Sequence, residues 1–260
     1  MLDISSHQLE LWLTQYLWPF IRIGAALMTV PVFSGRYLPP RQRLVLAGAI
    51  TVLVAPLVPT PTTSAIFSAA GLVTTAQQLI IGLAIGFTLQ IVFDSLAMGG
   101  QLLANSMGLS FAFNIDPLHG TGTPVLGQFY SILVTLTFLA LNGHLAVVEM
   151  LVQGFRTLPV GTTGLSTDAL WQVGLWGTQI FGGALAVALP GMTALLIVNL
   201  GFGVVSRVAP SLNLFAVGFP VTLICGLLIV LLGLPSVQTN FVDLLQRGFA
   251  LVQSLLAPER

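Results

Sequence analysis

Between Leu44 and Phe93 there is not one Asp, Glu, Lys or Arg, and the runs from Ala169 to Ser206 and from Val208 to Val242 are equally free of them. That feature removes most folds from consideration. Soluble domains carry charge on about a quarter of their residues, whereas this 260-residue chain is 6% charged and 55% hydrophobic. A helix needs about 20 apolar residues to cross a bilayer, so each run has room for one or two crossings. The class that follows is an all-α, integral membrane-type protein. The basic residues are eight Arg and no Lys, against eight acids. With a net charge of zero, no nucleic-acid partner and no polybasic anchor is indicated. The single cysteine, Cys225 in "VTLICGLLIV", reads as a small buried hydrophobe. Asp3 and Glu10 near the start argue against a cleaved secretory signal.

Turn signals divide the apolar runs into about six long helices. The first segment covers about Leu9 to Phe33, with Pro19 and a lone Arg22 inside it, and the loop "SGRYLPPRQR" (Ser34 to Arg43) follows. The second spans Leu44 to Val58, and the third starts near Ala65 and runs to "NSMG". A polar-aromatic stretch, "GLSFAFNIDPLHGTGTP" (Gly108 to Pro124), precedes the fourth, which starts "VLGQFYSILV". The loop "GFRTLPVGTTGLSTD" leads to the fifth (Ala169 to Ser206, with Pro190), and "RVAPSLN" turns into the sixth (Leu214 to Leu234, with Pro220). The last stretch mixes polar and apolar positions around Asp243 and Arg247 and is predicted to be an amphipathic surface helix. The positive-inside rule places the Arg36, Arg41 and Arg43 loop in the cytoplasm.

The third segment carries the clearest pattern. Gln90, Asp94, Met98, Gln101 and Asn105 recur at spacings of four, four, three and four, along one helical stripe. Beside it Ala97, Gly100, Ala104 and Gly108 form a small-residue stripe of the kind that lets a second helix approach closely. The polar stripe either hydrogen-bonds neighbouring helices or faces water or a partner. Arg22, Asn142, His144, Glu149 and Arg207 are further polar residues at apparent membrane depth, where ionisable groups are costly and invite a functional reading. "NGH" (Asn142, Gly143, His144) equally reads as a structural break, with the glycine supplying the bend.

Catalytic patterns are missing, so no enzyme is expected. Without Lys there is no P-loop and no Schiff base. His7, His119 and His144 are too scattered for a metal pair, and no Gly-x-Ser-x-Gly elbow occurs. No metal and no cofactor is expected.

Four pieces in series, "RIGAALMTVPVFSGRYLPPRQRLVLA", "GQLLANSMGLSFAFNIDP", "LALNGHLAVVEMLVQGFRTLPVG" and "RVAPSLNLFAVGFPVTLICGLL", resemble the FliR family of flagellar biosynthetic proteins and its injectisome counterparts in type III secretion. The resemblance runs in order from about Arg22 to Leu234, and "SLNLFAVGFP" leans to the flagellar branch. It implies a non-enzymatic subunit of the flagellar export gate in the bacterial inner membrane and flagellar basal body. In that gate one FliR-type chain joins several copies of FliP and FliQ, FlhB and FlhA associate, and unfolded flagellar subunits pass through the pore. It implies a FliP-like part over about 1–165 and a FliQ-like hairpin with a C-terminal helix over about 166–260. "RVAPSLN", including Arg207, Pro210 and Asn213, would be the hairpin tip, with Pro190 and Pro220 kinking its arms. It implies too a cone standing largely above the bilayer plane, so that apolar length does not equal spanning topology and much of the apolar surface is buried against FliP and FliQ instead. In the family, the loop after the glycine-rich helix plugs the closed pore; here that is 106–122. Phe111, Phe113 and Ile115 suit a hydrophobic constriction, Asp116, Pro117 and the Gly-Thr-Gly segment let the backbone turn, and Asn114 belongs to the same plug. A fixed re-entrant loop buried against neighbours is the plain alternative. A stand-alone secondary carrier with broken helices is the competing function, although neither related halves nor a compact set of binding side chains is visible.

Overall fold

The computed structural model describes residues 6–35, 38–59, 66, 68–109, 125–209 and 214–257, and among them every regular element is helical. In chain order these are α1 (Ser6–Thr29), α2 (Pro31–Ser34), α3 (Pro40–Val54), α4 (Ala69–Ser106), α5 (Val125–Ala140), α6 (Gly143–Thr157), α7 (Thr167–Trp176), α8 (Gln179–Val208) and α9 (Leu214–Leu256). Three stretches are long and apolar enough to cross a membrane: α4, α7 with α8 (Thr167–Val208), and Val217–Leu256 of α9. The pair α5 and α6 makes a fourth if its bend of 66° is counted within one span. The chain is thus a helical protein with a membrane location.

Short-range chemistry sets the boundaries. Pro40 sits in the first turn of α3, where its missing N–H costs nothing. Ser166 caps α7 by accepting from the Ala169 N–H at 3.1 Å, with Asp168 in the favourable first turn. Helix α4 closes in a Schellman motif: Gly108 has φ 79°, its N–H reaches the Asn105 carbonyl, and the Leu109 N–H reaches that of Ala104.

Hydroxyls inside the helices satisfy themselves. Thr74, Thr88 and Thr51 are buried and donate to the carbonyls of Ala70, Ala84 and Ala47 four residues back. Ser95 donates to Val92 at 2.7 Å. In a chain with so little water-facing surface, this removes the cost of an unpaired buried O–H without needing a neighbour.

Two differences from the sequence reading are instructive. The sixth segment and the expected separate last helix are one continuous helix, α9, which carries Pro220 and Pro235 within it. Pro190 likewise lies inside α8. Proline removes one backbone donor, and in apolar helices of this kind local adjustment re-satisfies the freed carbonyl. At "NGH" the left-handed residue is Asn142 (φ 56°), not the glycine. Gly143 is instead buried against the Phe138 ring, where a Cβ would collide.

The chain forms two compact units, each assembled from separate stretches of sequence. One comprises 1–90, 138–177 and 247–260; the other comprises 91–137 and 178–246. The first has a core of Trp18, Ile23 and Leu27 (α1), Ala47 and Val54 (α3) and Phe155 (α6), and a second cluster of Ala84, Ala169, Val173 and Leu255. The second unit packs α4 from Ile91 onward with α5, α8 and α9, and holds an edge-to-face pair, Phe93 and Phe241, 5.3 Å between centroids.

Candidate functional site

In the second unit, α4 is the helix on which the others close. A side chain at Gly100 would stand 2.7 Å from the Leu126 carbonyl of α5, and one at Gly127 would stand 3.0 Å from the Ala97 carbonyl of α4. The two helices therefore touch backbone to backbone. Its neighbour Gly99 meets α8 in the same way, 3.1 Å from the Ala184 carbonyl. Such contacts recover dispersion energy that apolar side chains cannot supply against lipid. Gly100 is buried in this seam, and Ala104, one turn further along α4, is buried as well. Gly108, fourth in that stripe by spacing, ends the helix.

The polar stripe turns outward. Asp94, Gln101 and Asn105 are exposed, and Gln90 and Met98 are half-buried. The side chains of Gln101 and Asn105 make no hydrogen bond to another described residue. Gln90 and Asp94, at the start of the stripe, do have partners, so the outward, unbonded part of the stripe is its second half.

The other polar residues separate by environment. Arg207 is exposed in the last turn of α8, where the helix dipole welcomes a cation. Glu149 is exposed on α6 and accepts from Gln153 at 3.2 Å. His144 is half-buried at the start of α6, its Nδ1 enclosed without a partner among the described residues. Asn142 and Gly143 form the α5–α6 corner, and Pro190 and Pro220 sit within α8 and α9. Phe111, Phe113, Asn114, Ile115, Asp116 and Pro117, with Pro210 and Asn213, lie outside the described residues.

What sequence reasoning missed is the centre of the first unit. Arg22 is completely buried. Its Nε donates to Gln78 Oε1 at 2.7 Å, Nη1 to the Gly154 and Leu158 carbonyls at 3.2 and 3.0 Å, and Nη2 to Leu158 at 3.0 Å. The guanidinium lies 4.2 Å from the Phe155 ring centroid. One side chain on α1 thereby ties α4, the end of α6 and the strand of chain after it. Full burial takes the guanidinium out of water, at a cost in desolvation. The planar fork offsets that desolvation with several donors aimed at carbonyls. A lone Arg in an apolar segment was the available signal; its partners, 56 to 136 residues away, left none.

Among the described residues no group of three or more His, Cys, Asp or Glu is placed to hold a metal ion. Residues 13–248 match the protein family described as Bacterial export proteins, family 1. The flagellar biosynthetic protein FliR of Pectobacterium carotovorum subsp. carotovorum is 38% identical over 98% of this chain and 98% of its own length. That of Escherichia coli (strain K12) is 37% identical over 99% of this chain and 98% of its own. That of Aquifex aeolicus (strain VF5) is 29% identical over 96% and 98%.

Proposed function

The chain belongs to family 1 of the bacterial export proteins, the family of the flagellar proteins it is similar to, and from that premise we propose that it is a non-enzymatic subunit of a flagellar protein export gate. With FliP and FliQ it forms the pore through which unfolded flagellar subunits leave, in the inner membrane at the flagellar basal body, with FlhB and FlhA as further contacts. Residues of about 1–165 form the FliP-like part, and about 166–260 the FliQ-like hairpin and C-terminal helix.

The observation that carries this reading is uneven burial. In an 18-residue apolar stretch of α4, 67% of the residues are buried within the chain, whereas in the corresponding stretches of the spans ending in α8 and α9 only 22% are. Leu196, Ile197 and Leu200 on α8 and Leu231 and Leu232 on α9 are exposed. Contiguous apolar surface of this extent needs covering by lipid or by other chains. An export gate built from several helical subunits supplies such a cover, and the outward face with Gln101 and Asn105 is suited to a polar partner or a wet pore.

The loop 106–122 plugs the closed pore, with Phe111, Phe113 and Ile115 as its seal. This assignment rests on the resemblance in sequence and on the hydrophobicity of those side chains. It is tested by deleting Ser110 to Thr121 and measuring ion leak across the membrane alongside co-purification with FliP and FliQ. Assembly with leak is expected. Assembly without leak removes the plug, and a chain that purifies stably alone removes the gate.

A further inference from the structure

Helix α3 offers an outward stripe with a charge at one end. Arg41, Val45, Gly48 and Val52 are spaced four, three and four residues apart, on one face. Two open grooves of about 810 and 370 Å³ flank this stripe, the larger walled by Trp12 and Tyr16 of α1. Val45 and Val52 are 73% and 60% exposed. Leu13, Leu17 and Phe20 add apolar wall to the larger groove, and Leu46 and Ala49 to the smaller.

The two arginines at this end behave differently. Arg43 donates from Nη2 to the Ser34 and Gly35 carbonyls at 2.7 and 2.9 Å, clasping the preceding loop. Arg41 is exposed and makes no hydrogen bond or ion pair to another described residue. From Arg41 to Val52 the helix rises about 16 Å. One leaflet is half of a hydrocarbon core about 30 Å thick, so the stripe is as long as one leaflet is deep.

We propose that this stripe holds one anionic phospholipid of the surrounding bilayer. Its phosphate sits on the Arg41 guanidinium, and one acyl chain lies along Val45, Gly48 and Val52 toward Trp12 and Tyr16. Charge complementarity selects the headgroup, as in basic pockets that bind acidic lipids. The apolar floor holds the tail. The inference rests on the membrane location of the chain and is independent of the pore and its plug.

Gly48 makes the idea testable without harming the fold, because a Cβ there would meet nothing within 4 Å. The full-length protein, in the complex it forms in its membrane, is reconstituted in bilayers of phosphatidylglycerol and phosphatidylethanolamine in equal parts. The complex is then released in mild detergent, and native mass spectrometry counts the retained lipids. Gly48→Leu, which fills the groove, is expected to retain one phosphatidylglycerol fewer than the unsubstituted protein. Arg41→Gln is expected to keep a lipid but to lose preference for phosphatidylglycerol by about fivefold. An equal phosphatidylglycerol count in Gly48→Leu overturns the site. Loss of a protein subunit from that variant also overturns it, because the groove would then be a seam between chains. An unchanged preference in Arg41→Gln overturns the headgroup assignment.

Discussion

The two units solve the same packing problem differently. In the unit of 91–137 and 178–246, helices are joined by removing side chains: Gly99, Gly100 and Gly127 bring backbones into contact. The unit of 1–90, 138–177 and 247–260 uses that device too, since a side chain at Gly86 of α4 would stand 2.8 Å from the Ala26 carbonyl of α1. It then adds a buried cation whose four hydrogen bonds reach Gln78, Gly154 and Leu158. A glycine seam tolerates small slides of one helix along another, because dispersion is non-directional. A guanidinium fork does not, because each donor must meet its acceptor in line. The comparison teaches which unit is specified by shape alone and which is also specified by hydrogen-bond direction.

The largest effect is expected at the fork. Arg22→Met keeps much of the apolar stem but strands Gln78 Oε1 and the Leu158 carbonyl, while the Gly154 carbonyl keeps the Leu158 N–H, at about 1–3 kcal/mol for each unsatisfied group. The protein should disappear from membranes, read by immunoblot of the membrane fraction. Arg22→Lys should rescue little, since an ammonium cannot reproduce the fork; full rescue would mean that charge alone matters. Next comes the seam. Gly100→Val forces α5 away from α4 and should cost about 1–3 kcal/mol, seen as a lower melting temperature of the purified complex. A smaller effect is expected at the corner, where Asn142 holds φ 56°. Asn142→Gly should change stability by less than about 1 kcal/mol, whereas Asn142→Val should be clearly worse. The smallest stability effect belongs to the outward face. Gln101→Ala with Asn105→Ala should leave the melting temperature of the chain's own fold within about 1 °C, in keeping with surface changes of about 0.5 kcal/mol or less. Flagellar export, measured as secreted subunits in the medium, should fall; unchanged export would deny that face a role.

The seam was largely legible in the sequence because helical spacing is local. Ala97, Gly100 and Ala104 announce a close-packing face, whereas the polar stripe of Asp94, Gln101 and Asn105 left internal bracing and an outward face equally open. Gly99 was overlooked, although the Gly-Gly doublet was the clue that α4 is approached from two sides. Gly108 was assigned by the same spacing to packing, yet helix termination uses glycine for its backbone, which a periodicity does not distinguish. The continuity of α9 through Pro235 escaped because proline marks a break in water more reliably than in an apolar helix. The fork could not be read at all, because nothing local links Arg22 to a carbonyl at Leu158. The loop that holds Phe111 and Phe113 falls outside the described residues and stays a reading of sequence.

The buried hydroxyls and the buried arginine also keep different schedules. Thr74, Thr88 and Ser95 find their acceptors within four residues on their own helix, so they are satisfied as soon as that helix winds. Arg22 waits: its last acceptor, Leu158, lies 136 residues downstream. The ribosome must deliver more than half of the chain before the first helix can settle. Until then an unsatisfied guanidinium keeps α1 near water or in the care of the insertion machinery, which moves its burial to the second half of synthesis, long after α1 itself has been made.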